Sequence, residues 1–375
     1  MDQIARFYVG TYSCPLIFGT GEVFEGKGKG IHTYLFDMEK GTLMEEGAPT
    51  ETANPSFVSL SADKKLLYAV NELTTFEGKK GGALNTYRRA ENGELTLLSQ
   101  KATGGEDPCH VVTDRERKMV LVSNYSGGSL AVWPLDKDGA PVGEAQVIQH
   151  TGKGRNPVRQ EGPHVHSITF TRDEKYAVAA DLGLDELVLY PVDKEEGRLK
   201  EEEKTIFRTG KEKGPRLTLF NQTGDRCYVA CELSCEVLVL SYENGGFTLL
   251  QTLSTLKNGW SLENTAADIH LSADEKILYV SSRGEDTIAV YQVKEDGLLS
   301  LVEIVPAGVK TPRNFAIDPS GKWLLAGGQN SDTVAVHRID TETGKLTLTQ
   351  TFEVPTPVCL CFERRSRSDC ECPLY

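Results

Sequence analysis

The fold predicted for this chain is all-β: a seven-bladed β-propeller with four antiparallel strands per blade, its ring closed by the C-terminal strand joining the N-terminal blade. Three observations carry that reading. A short phrase recurs seven times, the segments between its copies read as strands, and the two chain ends complement each other.

The phrase is clearest as Ser61-Ala-Asp-Lys-Lys-Leu-Leu-Tyr-Ala-Val-Asn71 and Ser272-Ala-Asp-Glu-Lys-Ile-Leu-Tyr-Val-Ser-Ser282. Weaker copies begin at Thr113, Thr171, Asn221 and Asp318, and the seventh is a bare Phe7-Tyr-Val-Gly10. With Tyr8, Tyr68, Leu121, Val178, Tyr228, Tyr279 and Leu325 as anchors, the copies stand 46–60 residues apart. A fixed period of that size is the mark of propeller blades. Within a unit, a strand leads into the polar Ser-x-Asp-x-Lys turn. An apolar strand follows (Lys276-Ile-Leu-Tyr-Val-Ser281), then an alternating one (Thr287-Ile-Ala-Val-Tyr-Gln-Val293), then a last strand after a Gly turn (Gly297-Leu-Leu-Ser-Leu-Val-Glu303). Period-two alternation punctuated by Gly, Asp and Asn means β-strands. The first unit opens on its second strand, at residues 7–11, and the last is followed by an orphan first strand at 354–362. Pairing the two closes the ring.

Residues 1–362 are expected to form one domain, and 363–375 a disordered tail. No apolar run reaches membrane length and no basic-then-apolar leader opens the chain, so a cytoplasmic protein is expected. A net charge of −13 argues against nucleic acid or an anionic membrane as partner, and an anionic ligand then needs a local basic cluster. The expected state is a monomer or a weak homo-oligomer. Nine cysteines in a chain of this size do not read as a disulfide framework. Cys227, Cys231 and Cys235 lack the His or second Cys pair of a zinc site and read as small core residues. No metal and no cofactor are expected. His32, His150 and His337 have no evident partner, and His164 reads as a loop residue.

In a propeller the innermost strand lines the channel and runs antiparallel to the second, so the start of one and the end of the other share a face. Two rings follow. The first opens each inner strand: Ser56, Cys109, His166, Arg216, Ala267, Arg313 and Thr356, each followed by Phe57, His110, Ser167, Leu217, Asp268, Asn314 and Pro357. The second ends each second strand: Tyr12, Glu72, Tyr125, Leu182, Glu232, Arg283 and Gln329. One mouth therefore collects His166, Arg216, Glu232, Asp268, Arg283 and Arg313, with Glu72, His110 and Gln329 as further lining. An arginine paired with a glutamate at a strand end commonly just ties blades together, and His110 alone reads equally as a satisfied rim histidine. As a set they suit an anionic substrate. Guanidinium forks grip carboxylate or phosphate, a carboxylate such as Glu232 serves as a base toward water, and arginines stabilise an oxyanion. Long loops at 13–29, 73–82 and 151–163 face the same mouth, the last carrying Lys153, Arg155 and Arg159. The Gly-Lys-Gly-Lys-Gly run at Gly26 is no phosphate loop and reads as a flexible connector.

From Tyr8-Val-Gly-Thr-Tyr12 to about Phe362 the chain resembles the seven-bladed propeller lactonases, a family of bacterial 6-phosphogluconolactonase-type and fungal carboxymuconate-lactonizing enzymes. The strings that carry the resemblance are Lys213-Gly-Pro-Arg216, Cys231-Glu-Leu-Ser-Cys-Glu-Val237, Ala266-Ala-Asp-Ile-His-Leu-Ser272, Thr311-Pro-Arg-Asn-Phe315 and Ala326-Gly-Gly-Gln-Asn330. The resemblance implies catalytic roles for His166, Arg216, Glu232 and Arg283. Arg313, Asp268, Glu72, His110 and Gln329 are expected to bind substrate. It also implies a small anionic sugar lactone as substrate, most simply 6-phosphogluconolactone, and hydrolysis within carbohydrate metabolism of the pentose phosphate type. One departure stands out: the family usually follows Gly-Pro-Arg with His, and here Leu217 takes that place. A carboxymuconate-type cyclase or isomerase, and a non-catalytic interaction scaffold, are the alternative readings.

Overall fold

The computed structural model describes residues 3–17, 21, 23–258 and 262–363. Seven antiparallel sheets, six of four strands and one of five, follow one another around a ring. Blade 5 is typical: Pro215–Phe220, Arg226–Cys231, Glu236–Glu243 and Gly246–Ser254 lie side by side in chain order. Blade 1 is the exception, because its innermost strand is Pro357–Phe362, paired with Ile4–Thr11. That is the closure the chain ends predict. A single 3-10 turn, Glu201–Glu203, is the helical segment among the described residues.

Alternation along each strand gives every blade two apolar faces, and neighbouring blades share a core. Leu219, Tyr228 and Ala230 of blade 5 pack with Ile269, Leu278 and Val280 of blade 6. Trp323 and Leu325 of blade 7 pack with Phe7 and Phe36 of blade 1. The repeated phrase is a turn device. Its first hydroxyl donates to its Asp at 2.7 Å in Ser61–Asp63, Thr171–Asp173 and Ser272–Asp274. The residue after the Asp (Lys64, Glu174, Glu275) takes a left-handed φ of 60°, 53° and 58°. The tyrosine of the phrase reaches out of its own blade. Tyr8, Tyr68, Tyr228 and Tyr279 donate to the carbonyls of Gly93, Gly139, Gly297 and Gly344, each in the next blade, at 2.8–3.1 Å.

One irregularity recurs and positions the site. In blades 3, 4, 5 and 7 the inner strand carries one extra residue near its start, opposite the end of the second strand: Cys109, His166, Arg216 and Arg313. A bulge of this kind frees a residue from the ladder and re-aims its side chain. In blade 6, Ala267 and Asp268 together face Ser281. In blade 1 the extra residue is Val358. This corrects Thr356 as the first-ring member: Thr356 lies before Pro357 with φ 42° and bonds Asp332.

The structure departs from the sequence reading elsewhere. The 13–29 and 73–82 loops carry small hairpins, Leu16–Ile17 with Val23–Phe24 and Thr75–Phe76 with Lys79–Lys80. The glycine run is not a loose connector. A Cβ on Gly26 would fall 2.4 Å from the Tyr12 carbonyl carbon, and one on Gly28 would fall 2.0 Å from Thr11 Oγ1, so the segment packs too tightly for side chains. His32 meets Glu45 at 2.6 Å, His150 meets Asp181 at 2.7 Å, and His337 donates to the Ala307 carbonyl at 2.9 Å, so all three have partners. Of the tail, residues 364–375 lie outside the described residues, Cys370 and Cys372 among them. Glu363 accepts from the Tyr8 hydroxyl at 3.1 Å and pairs with Arg89 at 3.1 Å.

Candidate active site

Glu232 follows strand Arg226–Cys231 and is held there by its own N–H, which donates to the Gly214 carbonyl at 2.7 Å. It is 3% exposed. Three guanidinium groups converge on it. Arg216, freed by the bulge of the same blade, reaches Oε2 at 2.6 Å. Arg283, at the end of the second strand of blade 6, reaches Oε2 at 2.8 Å. Arg159, from the 151–163 loop, reaches Oε1 at 2.6 Å. His166 Nε2 stands 3.9 Å from Oε2 and accepts a hydrogen bond from Arg216 Nη1. Backbone carbonyls fix two of the arginines: Arg216 Nε donates to Ala267 at 2.8 Å, and Arg283 donates to Ala266 at 3.3 Å.

Beside this group stands a second pair. The Tyr12 hydroxyl donates to Glu72 Oε1 at 3.0 Å. Arg313 lies 3.7 Å from Glu72 Oε2 and over the Tyr12 ring at 5.6 Å. Arg313 acts electrostatically on Glu232, His166 and Arg283, so the two groups share one field. Buried polar atoms without a hydrogen-bond partner recur on the two rings: Ser56 Oγ, Glu72 Oε2, Arg283 Nε and Gln329 Oε1. Buried groups are rarely left so, and a mouth that holds a polar ligand accounts for them.

The field sets protonation. Burial alone would raise the Glu232 carboxyl, but Arg283, Arg216 and Arg159 outweigh it and hold the group well below the ordinary carboxylate range. Burial, reinforced by Arg216, holds His166 well below its usual imidazole value. His166 is therefore neutral, with its lone pair on the Nε2 that faces Arg216 and Glu232. Burial lowers Arg283 to about 10, which leaves it charged at neutral pH. A buried, permanently ionised pocket of this kind can bind an anion, polarise a carbonyl and orient water.

Of the residues expected from sequence, His166, Arg216, Glu232, Arg283, Arg313 and Glu72 come together here. Gln329 occupies its ring position, with Nε2 donating to Asn330 Oδ1 at 2.9 Å. Asp268 and His110 do not join them. Asp268 Oδ2 accepts from His270 Nε2 (2.9 Å), Asn314 Nδ2 (2.6 Å) and Phe315 N (2.9 Å), and Oδ1 from Ile269 N (2.9 Å). His110 Nδ1 accepts from Ile168 N at 3.5 Å, and its ring packs on Phe57 at 4.4 Å. Both stitch neighbouring inner strands together. Each stands one position beyond its strand's bulge, where the side chain turns toward the next blade and not to the mouth. In sequence Arg159 is one of three cations on the 151–163 loop, and the destination of that loop at the mouth is the signal that points to it. Leu217 packs into the blade 5–6 core. Among the described residues no group of three or more His, Cys, Asp or Glu could hold a metal ion.

Comparison with known proteins agrees with this architecture. A family model described as "Lactonase, 7-bladed beta-propeller" matches residues 6–362. A 6-phosphogluconolactonase of Bacillus subtilis is 36% identical over 360 residues, covering 95% of this chain and 97% of that one. A 6-phosphogluconolactonase of Formosa agariphila is 33% identical, covering 85% and 91%. The solved structure of a periplasmic gluconolactonase from Pseudomonas aeruginosa superposes with a TM-score of 0.86 at 31% identity, covering 96% and 99%.

Proposed function

The chain belongs to the seven-bladed β-propeller lactonase family, and from that premise we propose that the charged mouth hydrolyses a phosphorylated sugar lactone, 6-phosphogluconolactone, to 6-phosphogluconate. The observation that carries this reading is the convergence of Arg159, Arg216 and Arg283 on one buried carboxylate, with neutral His166 beside it. With Arg313, four guanidinium groups face the two carboxylates of Glu72 and Glu232, an excess of two positive charges. That excess suits a phosphate dianion, whereas a neutral sugar lactone would leave it uncompensated.

In the mechanism we favour, the lactone carbonyl oxygen points at Arg216 and Arg283. Water adds to the carbonyl carbon and loses a proton to Glu232, while His166 Nε2, by accepting from Arg216 Nη1, fixes the guanidinium that faces the carbonyl oxygen. The oxyanion collapses, the ring C–O bond breaks, and the ring oxygen leaves as a hydroxyl by taking up the proton that Glu232 received from water. Free Glu232 is a weak base because three arginines hold it ionised. A dianion at the mouth offsets part of that field and raises the proton affinity of Glu232, so the substrate's own charge switches on the base. The reaction sits in the cytoplasm on this reading. Cys14, Cys109, Cys227, Cys231, Cys235 and Cys359 form no disulfide, which suits a reducing compartment, and no helix among the described residues is long and apolar enough to cross a membrane.

Steady-state hydrolysis of freshly made 6-phosphogluconolactone tests the proposal. Glu232→Gln and Arg216→Ala should each lose at least about tenfold in kcat/KM, since a lost general base costs roughly 10²–10⁴-fold. Unchanged rates in both variants would remove the mechanism.

A further inference from the structure

We infer that Arg159 is the specificity-determining residue of this mouth, reading the anionic phosphate of the substrate through the Nε–H and Nη1–H groups of its guanidinium that the described residues leave unused. The inference rests on the lactonase reading above and adds to it the residue that selects a phosphorylated ligand over a neutral one.

Geometry separates Arg159 from the other arginines. Arg216 and Arg283 are bound to backbone carbonyls, and Arg313 is stacked on Tyr12. Arg159 uses a single nitrogen: Nη2 donates to both Glu232 Oε1 (2.6 Å) and the Tyr125 hydroxyl (3.1 Å). Among the described residues its Nε and Nη1 make no hydrogen bond. Its side chain is also the most open of the four, at 21% exposure against 6% for Arg216, 14% for Arg283 and 12% for Arg313. Nε and Nη1 lie on either side of Cδ and point apart, so at the rim they offer a phosphate two separate charge-assisted N–H donors.

The loop is built to hold those donors in place. Gln160 is fully buried; its Oε1 accepts from the N–H groups of Arg155 and Asn156 at 3.1 Å, and its Nε2 donates to the Leu182 carbonyl at 2.9 Å. Asn156 Oδ1 accepts from the N–H groups of Val158 and Arg159 at 3.1 Å. Asp181 clasps both ends of the loop, taking His150 Nδ1 at 2.7 Å and the His164 N–H at 2.9 Å. Leu182 is the second-ring position of blade 4, which has no polar side chain of its own to offer. The loop plugs in there and supplies the missing charge from outside the ring.

The test compares two substrates on the full chain, 6-phosphogluconolactone and glucono-1,5-lactone. For Arg159→Met, the ratio of kcat/KM values, phosphorylated over neutral, should fall at least tenfold. Arg159→Lys keeps a charge but loses the two spaced donors, and should fall in between; it serves alone if the methionine variant does not fold. Calorimetric titration with inorganic phosphate needs no turnover and should show binding at least tenfold weaker in the variant. A ratio within twofold of wild type, or equal losses on both lactones, would overturn the inference, as would unchanged phosphate binding. Wild-type protein that hydrolyses neither lactone yet loses phosphate binding on substitution would instead sink the lactonase reading and leave this one standing.

Discussion

Asp268 and Arg216 entered the sequence reading on equal terms, as charged residues near the start of an inner strand. One position of offset separates them. The bulge residue turns into the mouth, and the residue after it accepts an N–H from the next blade: His110 from Ile168, Asp268 from Phe315, Asn314 from Leu360, Cys359 from Val58. Leu217 occupies that stitching position in blade 5 and has no acceptor to give. The Ile269 N–H opposite is satisfied by Asp268 Oδ1 at 2.9 Å, which accounts for how this chain tolerates a leucine there. His110 makes the offset measurable. Burial lowers it from 6.5 to about 3. Between those values the unfolded chain binds a proton that the folded one does not, so stability is lost as pH falls below 6.5. His110→Asn keeps an acceptor, as Asn314 does, and removes that titration. Below pH 6.5, denaturant unfolding should show the variant gaining on wild type by about 1.4 kcal/mol per pH unit. A difference that stays constant with pH would mean His110 is protonated in the fold.

Blades 1, 2, 5 and 6 are each latched to the next by the tyrosine of the repeated phrase. The period made those tyrosines visible as anchors, but nothing in one unit shows that the hydroxyl bonds a glycine carbonyl some 65–85 residues away in sequence. Tyr279 is fully buried, and its hydroxyl donates to Gly344 at 2.9 Å. Tyr279→Phe should cost about 1–2 kcal/mol, because a buried carbonyl is left unpaired while the packing is kept. Equal unfolding midpoints for the two proteins in urea would show the latch to be dispensable. The entrance to the inner strand is a second recurring element. Asn54, Asp107, Gly214, Thr311 and Thr356 all adopt positive φ directly before a proline. Gly214 does so freely, while Thr311 at 56° and Thr356 at 42° do so against their branched side chains. This entry turns the chain into the bulge, and it is why the X-Pro-Arg of Gly214 and that of Thr311 deliver their arginines to the same mouth.

Ring closure joins the two ends of the chain in one sheet, with Phe7 facing Phe362 and Gly10 facing Cys359. Deleting residues 357–375 removes the inner strand of blade 1 and exposes the shared core of blades 7 and 1, where Leu360 and Phe362 pack with Phe7 and Trp323. That truncation should abolish the cooperative thermal transition; a truncated chain that still melted sharply would show that six blades and a fragment suffice. Closure was legible in the linear sequence, as were the blade count and the second ring from Tyr12 to Gln329, because period, alternation and turn chemistry are local and repeat seven times over. Which first-ring residues turn inward was not legible. The bulge adds one residue to one strand, and strand pairing rather than residue type determines whether a side chain meets the mouth or the next blade. Arg159 lay further still from sequence reasoning. Its place depends on a loop folded about Gln160 and clasped by Asp181, contacts that exist only once blade 4 is built. Local patterning was enough to specify the scaffold and the kind of charge gathered at its centre. The pairings among those charges needed long-range packing, because Glu232 draws its partners from three separate stretches of the chain.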